Sequence, residues 1–293
     1  MDSLIAGAKK EPEFTFIAGA QTFGGQKTLS LLESAFNKKF GLNGKIRFSA
    51  GPEMNAMAAR VITELKMRRQ SVERYLSRLA IAFRFVAQRE GAGHGELLGI
   101  FPWITKDMEI FPSEGLLIFT SLRGIIYNSK LIPKDRAPKT YEDLVDPKLS
   151  PAWAGKMAIP PYVSWLVELS MIWSEDKVKN FTRKLVALSG GRLRYSEEER
   201  VVSGEFPIAA NMGGATGANV AVASQRARRC VAVMGSTPVL PSYFQLGVPK
   251  NTAHPNLSKL FVGFMASKEA QAILEKMIFA LRTWSKGRSW RNI

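Results

Sequence analysis

The sequence predicts an α/β fold with parallel sheets, and three observations predict it. A β-prone apolar run, FTFIAGA at residues 14 to 20, passes through the glycine-rich turn QTFGGQK into the helix-patterned TLSLLESAFNKKFG. A second strand, KIRFSAG at residues 45 to 51, precedes a second helical pattern, PEMNAMAARVITELKMRR. Farther along, FPIAANMGGATGANVAVASQRARR again reads as strand, glycine-rich turn and helix. Strand and helix alternating in this way open a parallel sheet covered by helices.

Each element has its local reason. The first helix carries an apolar face of Leu29, Leu31, Leu32, Ala35, Phe36 and Phe40, and Gly41 and Gly44 end it. EGLLIFTSLRGIIYNSKLI reads as two strands broken at Ser121 to Gly124, followed by YEDLVDP and a helical stretch around WLVELSMIW. In SEDKVKNFTRKLVALSGG, Ser174 is the expected N-cap, Glu175 and Asp176 favour the positive end of the helix dipole, and Gly190 and Gly191 stop it. CVAVMGSTPVLPSYFQLGVPK is strand-like, and HPNLSKLFVGFMASKEAQAILEKM is helical throughout. No internal repeat or low-complexity tract interrupts this order.

A chain of 293 residues, 46% hydrophobic and 23% charged, has the length to bury a large core in one domain or two. Its 41 Lys and Arg against 25 Asp and Glu give a net charge of +16, which attracts anions without saying which. One cysteine, Cys230, forms no internal disulfide, and with two histidines, His94 and His254, little remains to build a metal site; neither metal nor cofactor is expected. The N-terminus MDSLIAGAKKEPEF lacks the apolar core of a signal peptide, and no later run reaches the roughly 18 apolar residues of a membrane span.

Catalysis has no visible owner, so the chain is not expected to be an enzyme. GAQTFGGQKT, Gly19 to Thr28, is similar to a phosphate-binding P-loop, but Gly25 and Gln26 separate Gly24 from Lys27, which spoils the spacing that wraps amides around phosphate. The turn still aims amide groups at whatever lies above the helix N-terminus, which suits a carboxylate, sulfonate or phosphonate. The pair Glu197 and Glu198 in EEER reads as a solvated helix face, Cys230 as a buried thiol opening an apolar run, and His254 as a cap or turn residue. Phe23, Tyr162, Trp165 and Tyr243 lie beside predicted turns, where an aromatic ring lines a cleft or packs into the core.

The order of motifs resembles extracellular solute-binding proteins of family 1, the substrate-binding components of ABC importers. EFTFIAGAQTFGGQKTLSLLESAFNKKF, GPEMNAMAARVITEL, GIIYNSKLIPKDRAPKTYEDLVDPKL, AGKMAIPPY, EEERVVSGEFPI and GVPKNTAHPNLSKLFVGFMASKEAQAIL carry the likeness. It is similar to the branch of ferric-iron, thiamine and phosphonate binders with the type II periplasmic fold. The resemblance implies two lobes, each a mostly parallel sheet flanked by helices, joined by crossing hinge strands. Residues 1–120 and 238–293 form one lobe and 121–237 the other. A small solute is held in the cleft and captured by hinge closure, then passed to a membrane permease. By position in the family, Gly19, Ala20, Gln21, Thr22, Phe23, Gly51, Glu53, Arg123, Tyr162, Asn211, Met212 and Gly213 face that cleft, with Tyr243 near the second crossing. Ferric-iron members use adjacent tyrosines at that crossing, and PSYFQ offers only Tyr243, so a small anionic or polar organic solute is expected over iron. The same resemblance implies a monomer in the periplasm or outside the cell, with no nucleic-acid partner.

One stretch departs from the family. SVERYLSRLAIAFRFVAQREGAGHG, residues 71 to 95, stands where the family supplies a strand and turn like D-V-Y-L-G-S. Written as degenerate codons and read one base later, residues 73 to 97 permit D-I-Y-L-G-S-Q-S-H-F-A-S-L-L-N-E-K-A-L-V-T-V-N, as two compensating indels in the gene would produce. Taken at face value, Val72, Tyr75, Leu76, Leu79, Phe83 and Val86 form the apolar stripe of a basic amphipathic helix. Both readings stay open on the sequence. So does a rival for the whole chain, a binder of nucleic acid or anionic surfaces that uses MRRQ, QRARR and KGRSWRNI.

Overall fold

The structure, a computed structural model, describes residues 1–19, 25–51, 74–77, 97–111, 115–194, 197–212, 230–234, 237–248, 252–278 and 281–282. The chain divides into two compact units, Met1–Thr120 with Tyr243–Ile293, and Ser121–Ser242. It leaves the first unit within strand β5 (Gly115–Asn128) and returns within β10 (Leu240–Gly247).

In the first unit, helix α1 (Asp2–Ala8) leads into β1 (Glu13–Gly19), α2 (Gln26–Phe40) and β2 (Lys45–Gly51). β1 pairs with β2 in parallel, from Glu13 opposite Lys45 to Gly19 opposite Gly51. Its other side takes β3 (Arg74–Ser77), also parallel, and β3 pairs antiparallel with β10. Phe14, Phe16, Ile17 and Ala18 are all buried, the two-sided burial of a strand covered on both faces. Gly41, at φ 61°, ends α2 in the left-handed conformation that costs glycine nothing. The core is aromatic. Phe261 of α6 (Pro255–Met265) lies 5.1 Å from Phe14, 5.8 Å from Phe16 and 5.5 Å from Phe36, centroid to centroid.

The start of α6 is held by a residue far away in the chain. The Glu11 carboxylate accepts from the Asn256 amide (3.1 Å), the Asn256 side chain (2.7 Å) and the Leu257 amide (2.7 Å). His254 is the N-cap residue by position but makes no side-chain cap bond, so a carboxylate satisfies the exposed helix donors. Replacing Glu11 by Ala is expected to cost about 1–2 kcal/mol, read as a lower urea midpoint at unchanged slope.

The second unit centres on β6 (Met157–Ile159), which is parallel to both β7 (Ser189–Arg192) and β8 (Ile208–Met212). β5 pairs antiparallel with β8 and with β9 (Cys230–Met234). α3 (Ser164–Ser170) and α4 (Glu175–Leu188) cover a core of Tyr141, Trp153, Trp165, Trp173 and Phe181. Ser174 caps α4 as expected, its hydroxyl accepting from the Lys177 amide at 3.3 Å. Both sheets are therefore mixed: parallel where helices link the strands, antiparallel where β5 and β10 carry the chain across.

Several expectations need correction. The run from Gly115 to Asn128 is one unbroken strand, not two, because Ser121 and Arg123 are buried along it. Gly190 and Gly191 lie in β7, not in a helix stop: a Cβ on Gly190 would come within 2.3 Å of the Gly155 carbonyl oxygen, so the glycine permits backbone contact. Glu198 is buried ahead of the short helix α5 (Glu199–Val202) instead of solvated, and Leu31 is exposed on α2. The last helical pattern is two helices, α6 and α7 (Lys268–Ile278), parted at Ala266 and Ser267. A strand, not a helix, spans residues 74 to 77; the remainder of 71 to 95 lies outside the described residues, as does the helix expected from residue 52.

Candidate functional site

Parallel strands in α/β sheets present ligands at their carboxyl ends, because the turns there gather amide groups and helix N-termini. In the first unit β1 and β2 end side by side, with Gly19 opposite Gly51. α2 then begins behind Gly25, whose φ is 83° and which offers no side-chain cap. Thr28, in the first turn of α2, is fully buried, and its hydroxyl has no hydrogen-bond partner. The sequence-derived candidates Ala20, Gln21, Thr22, Phe23 and Glu53 lie outside the described residues. Tyr243 on β10 is 38% exposed, and Gln245, two residues on and so on the same strand face, is fully buried with neither amide atom hydrogen-bonded.

The second unit places Arg123, Met212 and Asn211 near one another through the sheet. Gly124 of β5 is the register partner of both Met212 of β8 and Met234 of β9. Arg123, one residue before it, is 2% exposed; its Nη2 donates to the Pro241 carbonyl at 3.0 Å and pairs with the Glu168 carboxylate of α3. That pairing neutralises a charge that burial would otherwise disfavour strongly. Tyr162, half-buried, stands on the loop that leads into α3 and hence toward Glu168. Asn211 is fully buried at φ 50°, and its Oδ1 accepts from the Tyr141 hydroxyl at 2.9 Å. Gly213 lies outside the described residues.

Sequence reasoning missed Tyr141, Glu168 and Gln245. Tyr141 stood inside the quoted TYEDL motif, and Glu168 follows Trp165 by three positions, one turn of the same helix; neither spacing names a partner 70 or 45 residues away. Gln245 gave the clearest signal, a lone amide in the apolar strand run FQLGV.

Among the described residues the shifted groups sit in surface ion pairs, not in the strand-end region. Carboxyls held below their ordinary range belong to surface pairs: Glu13 through a hydrogen bond from Arg47, Glu205 through one from Arg200, and Glu269 through one from Lys39. Among the described residues no group of three His, Cys, Asp or Glu side chains gathers to hold a metal ion, and no helix is long and apolar enough to cross a membrane.

No family model matches the chain, and neither does any curated protein. Solved structures do. The substrate-binding protein of an ABC transporter from Agrobacterium tumefaciens matches with a TM-score of 0.76 at 14% identity, over 97% of this chain and 84% of that one. Iron-bound HitA from Pseudomonas aeruginosa matches at 0.71 and 19% identity, over 95% and 88%. The ferric binding protein from Campylobacter jejuni matches at 0.70 and 14%, over 95% and 88%. The chain therefore has the two-lobe α/β fold of the type II periplasmic binding proteins.

Proposed function

We propose that this protein is the solute-binding component of an ABC importer and catalyses no reaction. The observation that carries the reading is the pairing of Gly19 with Gly51 at the carboxyl ends of two parallel strands, within a fold shared with binding proteins of that kind. In this proposal the two units are the lobes, and they close on a small anionic or polar organic solute outside the cytoplasm, acting as a monomer that hands its cargo to a permease. The contacts come from Gly19 to Phe23, Gly51 to Glu53, Arg123, Tyr162, Asn211 to Gly213, and Tyr243. The excess of positive charge and the amide-rich strand ends favour an anionic cargo over ferric ion.

Thermal unfolding in the presence of phosphate, citrate, taurine, 2-aminoethylphosphonate, thiamine, putrescine and ferric nitrilotriacetate tests this. One chemical class is expected to stabilise the protein, by about 2.7 kcal/mol at a hundredfold excess over its Kd, and to do so at moderate salt. Stabilisation by none of them, together with DNA binding that weakens log-linearly with salt, would favour the anionic-surface reading instead.

A second reading concerns the third strand. The described residues of β3 read RYLS, where the family resemblance implies a strand and cleft-lining turn like D-V-Y-L-G-S. The frame-shifted translation supplies that strand, so the proposal extends to a binding protein whose affinity is impaired over residues 73 to 97. Codons at the locus that do not permit the restored string would remove this extension and leave the first reading intact.

A further inference from the structure

We propose that Tyr141 is a positioning residue that fixes the Asn211 side chain as a hydrogen-bond donor to an oxygen of the solute, so that the cargo carries a carboxylate, phosphoryl or sulfonyl oxygen at that point. This deepens the solute-binding reading and rests on it.

An asparagine amide has one accepting and one donating end, and the two are interchangeable in shape. Here the placement sets which end is which. The Tyr141 hydroxyl donates to Oδ1 at 2.9 Å, and the tyrosine is itself immobilised: it is fully buried, its ring 5.5 Å from Trp165, which in turn meets Phe181 edge-on at 6.0 Å. With Oδ1 engaged, the NH2 group points elsewhere. That group is buried and has no hydrogen-bond partner among the described residues. A buried amide donor without an acceptor calls for an explanation, and a ligand oxygen that completes it is one.

The backbone supports the same placement. Asn211 sits in the left-handed region at φ 50°, the one described non-glycine residue that does so. Backbone strain of this kind concentrates at functional sites. The residue lies at the carboxyl end of β8, which runs parallel to β6, and the next residue, Met212, is opposite Gly124 beside Arg123. The Arg123 guanidinium already holds Glu168 and the Pro241 carbonyl. The Asn211 amide is thus a neutral donor at this strand end with hydrogen-bonding capacity to offer a solute oxygen.

The test uses the full chain with inorganic phosphate, citrate, putrescine and ferric nitrilotriacetate, measured by calorimetry. Wild type is expected to bind phosphate or citrate. Tyr141→Phe should weaken that binding about tenfold while leaving putrescine binding unchanged, beside a modest loss of stability in the free protein from the buried acceptor it leaves unpaired. Asn211→Asp, which replaces the donor by an acceptor of the same shape, should weaken it about a hundredfold or more. A purely structural role would lower the unfolding temperature but leave the oxyanion-to-putrescine ratio unmoved, and that ratio decides. Should Tyr141→Phe fail to fold, the Asn211 side-chain NH2 resonances of 15N-labelled wild type, assigned by their loss in Asn211→Asp, must shift on adding the bound oxyanion; binding without that shift overturns the inference. Binding of putrescine or ferric nitrilotriacetate alone retains the solute-binding reading and overturns the inference. Binding of none of the probes overturns the inference, and with DNA binding that weakens log-linearly with salt it overturns the solute-binding reading too.

Discussion

Replacing Arg123 by Met is expected to destabilise the protein by about 1–3 kcal/mol, the cost of removing a buried guanidinium from a half-buried carboxylate and a backbone carbonyl. Arg123 is 2% exposed, and its loss leaves the Glu168 carboxylate and the Pro241 carbonyl without their donor. The methionine fills much of the volume, so the penalty is electrostatic more than steric. Fluorescence reports it, because Trp153, Trp165 and Trp173 all lie in the core of the same unit. The double variant Arg123→Met with Glu168→Leu should recover a large part of the loss, since no uncompensated charge then remains. A single variant as stable as wild type would show that the pair contributes nothing.

The second large effect is expected at Phe261→Ala, about 3–5 kcal/mol from lost apolar contact and the cavity left behind. Phe261 is fully buried, and besides Phe14, Phe16 and Phe36 it meets Phe264, 6.3 Å away centroid to centroid. It joins β1, α2 and α6 in one cluster, so the surrounding rings have little freedom to collapse into the gap. Leu31→Ala on α2 is the matched control: that side chain is 43% exposed, and its removal should change stability by no more than about 0.5 kcal/mol. Equal losses at both positions, measured by urea unfolding, would refute this account of the core.

What the sequence disclosed, and what it hid, divides by the distance over which each residue is satisfied. β1, α2 and β2 were legible because apolar runs, a glycine turn and Gly41 act within a few positions, and Ser174 caps α4 through an amide three residues on. β5 was not. Ser121 to Gly124 looks like a break, but Arg123 finds Glu168 and Pro241, 45 and 118 residues away, and the strand continues through a buried charge. The same limit applies to the candidate site. Gly19 and Gly51 became candidates by their position in the family, at the ends of runs legible as strands, whereas the Tyr141–Asn211 contact spans 70 residues and has no local signature. At residues 74 to 77 helical spacing was overridden by pairing on both sides, with β1 and with β10, a tertiary demand that no local pattern expresses.

The position of β3 has a consequence for the behaviour of the protein in solution. Its described residues, 74 to 77, cover one edge of β1, through Phe16 and Ile17, and one edge of β10, through Gln245 to Gly247. Were that segment displaced, two rows of amides and carbonyls on apolar strands would lie open to pairing with other chains, the geometry from which aggregates grow. Damage to residues 74 to 77 would then appear first as clumping during refolding, before any defect in capture could be measured.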